Sequence, residues 1–396
     1  MSDKETPILS VGQLVTLDIG PVAHGGHFIA RHNGRVIFVR HAISGEKTVV
    51  RITSVTSKLA HGDAVEILVP SKDRVSAPCV YAVPGGCGGC DFQHVSIEAQ
   101  RDLKKFIIQD QFKRIAKMDV NPEFIHVEPE TGLHWRTRFD LSVSRNGKAG
   151  LFSHRTKEVQ EIDKCLIAVD TINASDLFSR NWKGDERLRV SVSSLNQINI
   201  NRAGRSISGP TQLHEVVEDY RYTISPESFW QSHKNAPRIL LELAMKFMDL
   251  KSGDRVCDLY GGAGFFTLPI SKNIGDAGEV HLIESDKRCI QDAKKMFKKN
   301  KNIIIHAGKV EEKLSNINDI DLILLDPPRN GAGNKIISEI IEKKPRSILY
   351  ISCDPASLAR DAKLLIDDSY SLEQITGIDL FPMTHHIECV SCFSRK

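Results

Sequence analysis

Between Arg255 and Cys353 the chain alternates short apolar, β-favouring runs with helical stretches. The runs are Arg255-Val256-Cys257-Asp258-Leu259, Val280-His281-Leu282-Ile283, Ile303-Ile304-Ile305, Leu322-Ile323-Leu324-Leu325 and Ser347-Ile348-Leu349-Tyr350-Ile351. Strands separated by helices need crossover connections, so the alternation predicts a doubly wound, mainly parallel sheet. Such sheets bind ligands at the C-terminal edge of their strands. A residue ending one of these runs is therefore a candidate for chemistry.

The last run ends in Ser352-Cys353-Asp354-Pro355. It delivers a thiol to the sheet edge, where a cysteine can act as a nucleophile rather than as packing. The first run leads into Tyr260-Gly261-Gly262-Ala263-Gly264. Glycines there let the backbone turn sharply and approach a ligand closely. Glu284 ends the second run, where a carboxylate can accept bonds from both ribose hydroxyls. The glycine spacing does not match the dinucleotide fingerprint. With Asp258 before the loop, it favours S-adenosylmethionine over NAD. Asp326-Pro327-Pro328-Arg329 ends the fourth run. Its prolines stiffen the exit and hold Asp326 at the same edge. A turn aspartate is the plain alternative, but three strand ends converge on one crevice.

A thiol beside a methyl donor suggests a particular problem. C5 of a pyrimidine is a poor carbon nucleophile until a thiolate adds at C6. A base must afterwards remove the C5 proton so that the thiolate can leave. Glu388, in His385-His386-Ile387-Glu388-Cys389, directly precedes the last strand-like run and is the candidate base.

The chain has 396 residues, 41% hydrophobic, which suits two or three globular domains. No apolar run is long enough to span a bilayer, and the polar opening Met1-Ser2-Asp3-Lys4-Glu5 has no signal-peptide core. A cytoplasmic monomer without membrane association is expected. Net charge is +3, which decides nothing alone. Basic residues punctuate one helix at Arg101, Lys104, Lys105, Lys113, Arg114 and Lys117, and another at Lys294, Lys295, Lys298, Lys299 and Lys301. The second reads as a solvated face, the first equally as an RNA-facing one.

Three units are expected. Residues 8–70 carry short strands with turn signals at His24-Gly25-Gly26 and Asn33-Gly34, which suggests an OB-like β-barrel. Residues 71–222 form a central α+β unit, with a hairpin turn at Asn146-Gly147. Residues 223–396 form the Rossmann-like unit. Nine cysteines in a cytosolic chain are not a disulfide framework. Cys79, Cys87, Cys90 and Cys165 include one Cys-x2-Cys pair and can hold zinc or an iron–sulfur cluster. Cys257, Cys289, Cys389 and Cys392 read as packing residues.

The chain resembles the S-adenosylmethionine-dependent RNA 5-methyluridine methyltransferases over nearly its whole length. The matching segments are Phe229-Trp230-Gln231, Asp258 to Gly264, Asp326 to Gly331, Ser352 to Pro355 and His386-Ile387-Glu388. The resemblance implies a class I methyltransferase domain, an N-terminal TRAM domain and an RNA substrate. It implies Cys353 as nucleophile and Glu388 as proton acceptor. It also implies Gln231, Tyr260, Glu284 and Asp326 as cofactor contacts, beside Gly262 and Gly264 of the loop. It favours a [4Fe-4S] cluster on the four cysteines, as a structural clamp. This chain has Gly261 where the family usually has cysteine, and Phe265 where many members have asparagine.

The target uridine must leave its stack to reach Cys353, which is cheapest in a loop. Arg31, Arg35, Arg40, Arg136 and Arg138 are candidate phosphate contacts, and Phe92 and Trp135 candidate stacking residues. Ribosomal 23S RNA is the preferred substrate and the transfer RNA T-loop the alternative. Methylation of an exocyclic amine needs no thiol. A non-catalytic RNA-binding or assembly factor of the same fold would need neither Cys353 nor Glu388.

Overall fold

The computed structural model describes residues 9–184 and 186–396. The first residues of the chain, on which the absence of a signal peptide was read, lie outside them. Among the described residues, no helix is long and apolar enough to cross a membrane.

The N-terminal unit is a five-stranded barrel in the order Leu14–Asp18, Lys47–Val55, Leu59–Val69, Arg35–Arg40 and Phe28–His32. Asn33 and Gly34 make the two-residue hairpin turn, with φ of 48° and 79°. A turn of that length needs both residues left-handed, which asparagine and glycine tolerate. The barrel closes where Gly20 N donates to Ile29 O (2.8 Å) and Ile29 N to Pro21 O (2.9 Å). The strand Phe28–His32 has only three apolar residues before Arg31 and His32, too short an apolar run to stand out in the sequence.

The central unit holds a six-stranded antiparallel sheet, in which Arg138–Val143 lies between Arg187–Val192 and Ala149–Phe152. The C-terminal unit is built on an eight-stranded sheet. Its order is Ile303–Ala307, Glu279–Glu284, Arg255–Leu259, Leu322–Leu325, Ser347–Ser352, Glu388–Arg395, Tyr370–Ile378 and Glu123–Ile125. The strand Glu388–Arg395 runs antiparallel to both neighbours, and the other pairings are parallel. Strand order reverses between Arg255–Leu259 and Leu322–Leu325, so a ligand crevice opens there. The edge strand Glu123–Ile125 comes from the middle of the chain.

The basic helix Ile97–Gln111 corrects one expectation. Lys104 is fully buried and its ammonium pairs with Asp379 at 2.7 Å. Arg101 is buried beside it and reaches the same carboxylate at 3.3 Å. These two cations tie the helix to the C-terminal sheet and do not face RNA. A buried charge needs such a partner, because unpaired it would cost several kcal/mol. The lysines of the second basic helix are exposed. Phe92 and Trp135 are both buried core residues, although Trp135 also borders the large cavity described below.

Candidate active site

Each strand end supplies its piece of the site. After Arg255–Leu259 the chain turns through Tyr260, Gly262 and Gly264, with φ of 61°, 58° and 90°. A side chain on Gly261 would sit 2.0 Å from Leu282 and 2.8 Å from an Asp258 oxygen. Leu282 therefore fills the space that a cysteine would need. Gly264 is forced by packing, since a Cβ there would fall 2.3 Å from the Phe297 ring. A Cβ placed on Gly262 would meet nothing within 4 Å, so that side of its backbone is open to a ligand.

Glu284 is fixed by three backbone donors: Gly262 N at 2.9 Å, Ser285 N at 2.5 Å and Asp286 N at 2.6 Å. Its carboxylate is thus oriented beside the glycine loop. Beneath that loop Asp258 is fully buried and accepts from the Thr267 hydroxyl at 2.5 Å. Its other oxygen has no partner. Burial lifts the Asp258 carboxyl to about 7. Asp326 rises to about 7 as well, through burial and then the charge of Asp258.

Cys353 stands just past Ser347–Ser352, and Glu388 opens the neighbouring antiparallel strand. Burial pushes the thiol up to about 12, reinforced by Glu388 and Asp326 and opposed by Arg329. Burial, then Asp326, raises the Glu388 carboxyl well above the ordinary range. His386 is held low, at about 3, by burial and by the neighbouring His385 and Arg329. Its neutral ring accepts from the Arg329 guanidinium at 3.3 Å.

One cavity of about 550 Å³ brings these groups together. Gln231, Tyr260, Gly262, Glu284, Asp326, Cys353 and Glu388 all line it. That size suits a drug-sized ligand plus a base. Gly264 does not line it and sits behind the loop against Phe297. Arg136, named from sequence as a phosphate contact, lines this cavity, and Arg329 and His386 do too. Phe381 and Thr384 also line it and gave no sequence signal. Of the other phosphate candidates, Arg31 is exposed, whereas Arg40 is buried.

Cys79, Cys87, Cys90 and Cys165 line a second, smaller cavity. Cys87 Sγ accepts from Gly89 N at 3.4 Å, and Cys90 Sγ from the Gln93 amide at 3.3 Å. Among the described residues, no group of three or more His, Cys, Asp or Glu side chains is drawn together to hold a metal ion. Arg136 is half-buried near these thiols; desolvation lowers its pKa, and Cys165, Cys90 and Cys87 act in the opposite direction. Of the remaining cysteines, Cys257, Cys289 and Cys389 are buried and Cys392 is half-buried.

Residues 211–396 match the family described as tRNA (Uracil-5-)-methyltransferase, and residues 9–65 match the TRAM domain. An RNA methyltransferase of Streptomyces coelicolor, described as uncharacterized, is 37% identical over 97% of this chain and 93% of its own length. The chain belongs to the uracil-5 RNA methyltransferase family. Another member, an uncharacterized RNA methyltransferase of Corynebacterium efficiens, is 32% identical over 99% of this chain and 97% of that protein. Among solved structures, the Pyrococcus abyssi tRNA (uracil-54, C5)-methyltransferase in complex with S-adenosyl-L-homocysteine shares the family fold. Its TM-score is 0.72 at 20% identity, covering 95% of this chain and 99% of that one.

Proposed function

We propose that the protein methylates C5 of a uridine in 23S ribosomal RNA, with S-adenosylmethionine as methyl donor and a transient bond between Cys353 and C6. The observation that carries this reading is the cavity where the Cys353 thiol and the Glu388 carboxyl meet the Glu284–Asp326 edge. Glu284 would take the ribose hydroxyls, while Gln231, Tyr260, Gly262 and Asp326 would line the rest of the donor site. Bound there, the donor supplies an electrophilic methyl and a positive sulfonium.

Burial and the charge of neighbouring acids make ionisation of the Cys353 thiol and of the Asp326 and Glu388 carboxyls costly. A cation brought beside them lowers the cost of ionisation. The Cys353 thiol gives its proton to solvent and the thiolate adds to C6, which moves the C5–C6 electron pair onto the C4 carbonyl as an enolate. C5 of that enolate takes the methyl, the donor's sulfur–methyl bond breaks, and the donor leaves as S-adenosyl-L-homocysteine. The Glu388 carboxylate removes the C5 proton. That electron pair restores the C5–C6 double bond and expels the thiolate. Arg329 lies beside Cys353 and offsets the acids around it.

The test is covalent capture with RNA carrying 5-fluorouridine, which has no C5 proton to lose. A denaturant-stable adduct through Cys353 is expected, and none would refute the mechanism. The pairing of a TRAM barrel with a cysteine lobe supports ribosomal RNA. The fold match to a tRNA enzyme keeps tRNA as the second reading. Mass-spectrometric mapping of 5-methyluridine in both RNAs from a strain lacking the enzyme decides between them.

For the cysteine lobe we propose a [4Fe-4S] cluster on Cys79, Cys87, Cys90 and Cys165. Support comes from four thiols that line one small cavity, with the Arg136 guanidinium near them. An anionic cluster would satisfy that cation, and its chemistry there is structural, since methyl transfer needs no electron. Anaerobically purified protein should absorb broadly in the blue-violet. Colourless protein with stoichiometric zinc would overturn the assignment.

A further inference from the structure

The ladder between the nucleophile's strand and the base's strand ends at the pair Ser352–Cys389. Cys353 lies one residue past it, while Glu388 still pairs with Ile378 on its other side, and the segments beyond both leave the sheet. The placement of Cys353 and of the turn leading into Glu388 therefore depends on what holds those segments. Two contacts from outside the catalytic unit do so.

The first comes from the barrel turn His24-Gly25-Gly26. His24 Nε2 meets the Asp354 carboxylate, next to Cys353, at 2.9 Å. Gly26 presses on the other segment, where an added Cβ would lie 2.4 Å from His385 Cβ. The second comes from Asp91, next to Cys90. Asp91 is half-buried and accepts from His385 Nδ1 at 2.6 Å and from His385 N at 3.1 Å. Arg40 of the barrel balances its charge at 3.5 Å. Asp91 N and Phe92 N both donate to Met383 O, at 2.9 and 3.0 Å. The His385 ring in turn lies against that of His386, with centroids 4.2 Å apart, and His386 lines the catalytic cavity.

We propose that Asp91 and the barrel turn form a brace that sets the separation of Cys353 and Glu388, with Asp91 and His385 as positioning residues for removal of the C5 proton. The inference rests on Glu388 being the base. Contacts that served folding alone could fall anywhere between the units. These fall on the residue after the nucleophile and on the segment leading into the base. Misplacing a catalytic group by about 1 Å costs up to about a hundredfold in rate.

The experiment uses the full-length protein, labelled S-adenosylmethionine and ribosomal RNA from a strain lacking the enzyme. The readouts are release of methylated RNA and the fraction held as a denaturant-stable adduct. A defect confined to proton removal leaves methylated RNA attached to Cys353. Asp91→Ala is expected to accumulate that adduct and to release product on the order of tenfold to a hundredfold more slowly. Its KM for S-adenosylmethionine should match wild type. Asp91→Asn, which keeps an oxygen for His385, should restore most of the turnover. If Asp91→Ala fails to fold, Gly26→Ala displaces His385 from the barrel side and should trap the same adduct.

Folded variants that turn over without adduct, or that lose adduct and turnover together, would overturn the brace. Glu388→Gln is the control. If it traps adduct and the brace variants do not, the brace alone is wrong. If Glu388→Gln traps none, the assignment of the base has failed and the brace falls with it.

Discussion

Asp258 gives the most quantitative test of the site's electrostatics. It is fully buried, one of its oxygens has no partner, and burial lifts its carboxyl from 3.8 to about 7. A carboxyl whose folded-state value exceeds its unfolded value keeps a proton that the unfolded chain releases. Its contribution is thus fully present below pH 4 and is lost as pH rises toward 7. The gap between 3.8 and about 7 corresponds to about 4 kcal/mol. That is a ceiling, because Asp326 responds to the same field and the two do not add. Asp258→Asn removes the ionisation but buries an amide whose N–H groups lack acceptors, which costs about 1–2 kcal/mol. The variant should therefore be about 2–3 kcal/mol more stable than wild type at pH 8, and no more stable at pH 5. Urea unfolding of the ligand-free protein at both values measures this. Wild-type stability that is flat between pH 5 and 8, or a variant no more stable at pH 8, would refute the reasoning.

Four further outcomes follow from the same structure. Cys353→Ser should retain S-adenosylmethionine binding by calorimetry yet form no adduct with 5-fluorouridine RNA. Gly264→Ala, pressed against Phe297 at a φ of 90°, should lose about 2–4 kcal/mol of stability while its folded fraction keeps the wild-type KM for the methyl donor. Gly262→Ala, whose added Cβ meets nothing within 4 Å, should lose only about 1 kcal/mol but raise that KM. Lys104→Met would leave Asp379 with Arg101 alone, and a loss of about 3 kcal/mol should appear in the urea midpoint.

The strand ends were legible because buried parallel strands read as apolar runs, and the residue after each run falls at the ligand edge. Tyr260, Glu284, Asp326 and Cys353 were found that way. Polar strands were harder. Glu123–Ile125 is three residues long and gains its identity from pairing with Tyr370–Ile378. The side of a helix that a lysine occupies is equally hidden. Lys104 resembles Lys105 in sequence, yet only Lys104 has Asp379 waiting for it. Gly264 belongs to the loop motif, but its φ and the Phe297 ring give it a packing task rather than a place in the cavity. Asp91 and His385 lie almost three hundred residues apart, and no local pattern announces their contact.

The edge strand Glu123–Ile125 also bears on how such enzymes could be re-targeted. Its helix Ile97–Gln111 is anchored to Asp379, and the strand completes the catalytic sheet. A recombinant chimera that exchanged everything before the catalytic unit would strip away that strand and strand the Asp379 carboxylate without its cations. Splice points for importing a foreign RNA-binding module therefore belong on either side of residues 97–125, which must travel with the catalytic sheet as one cassette.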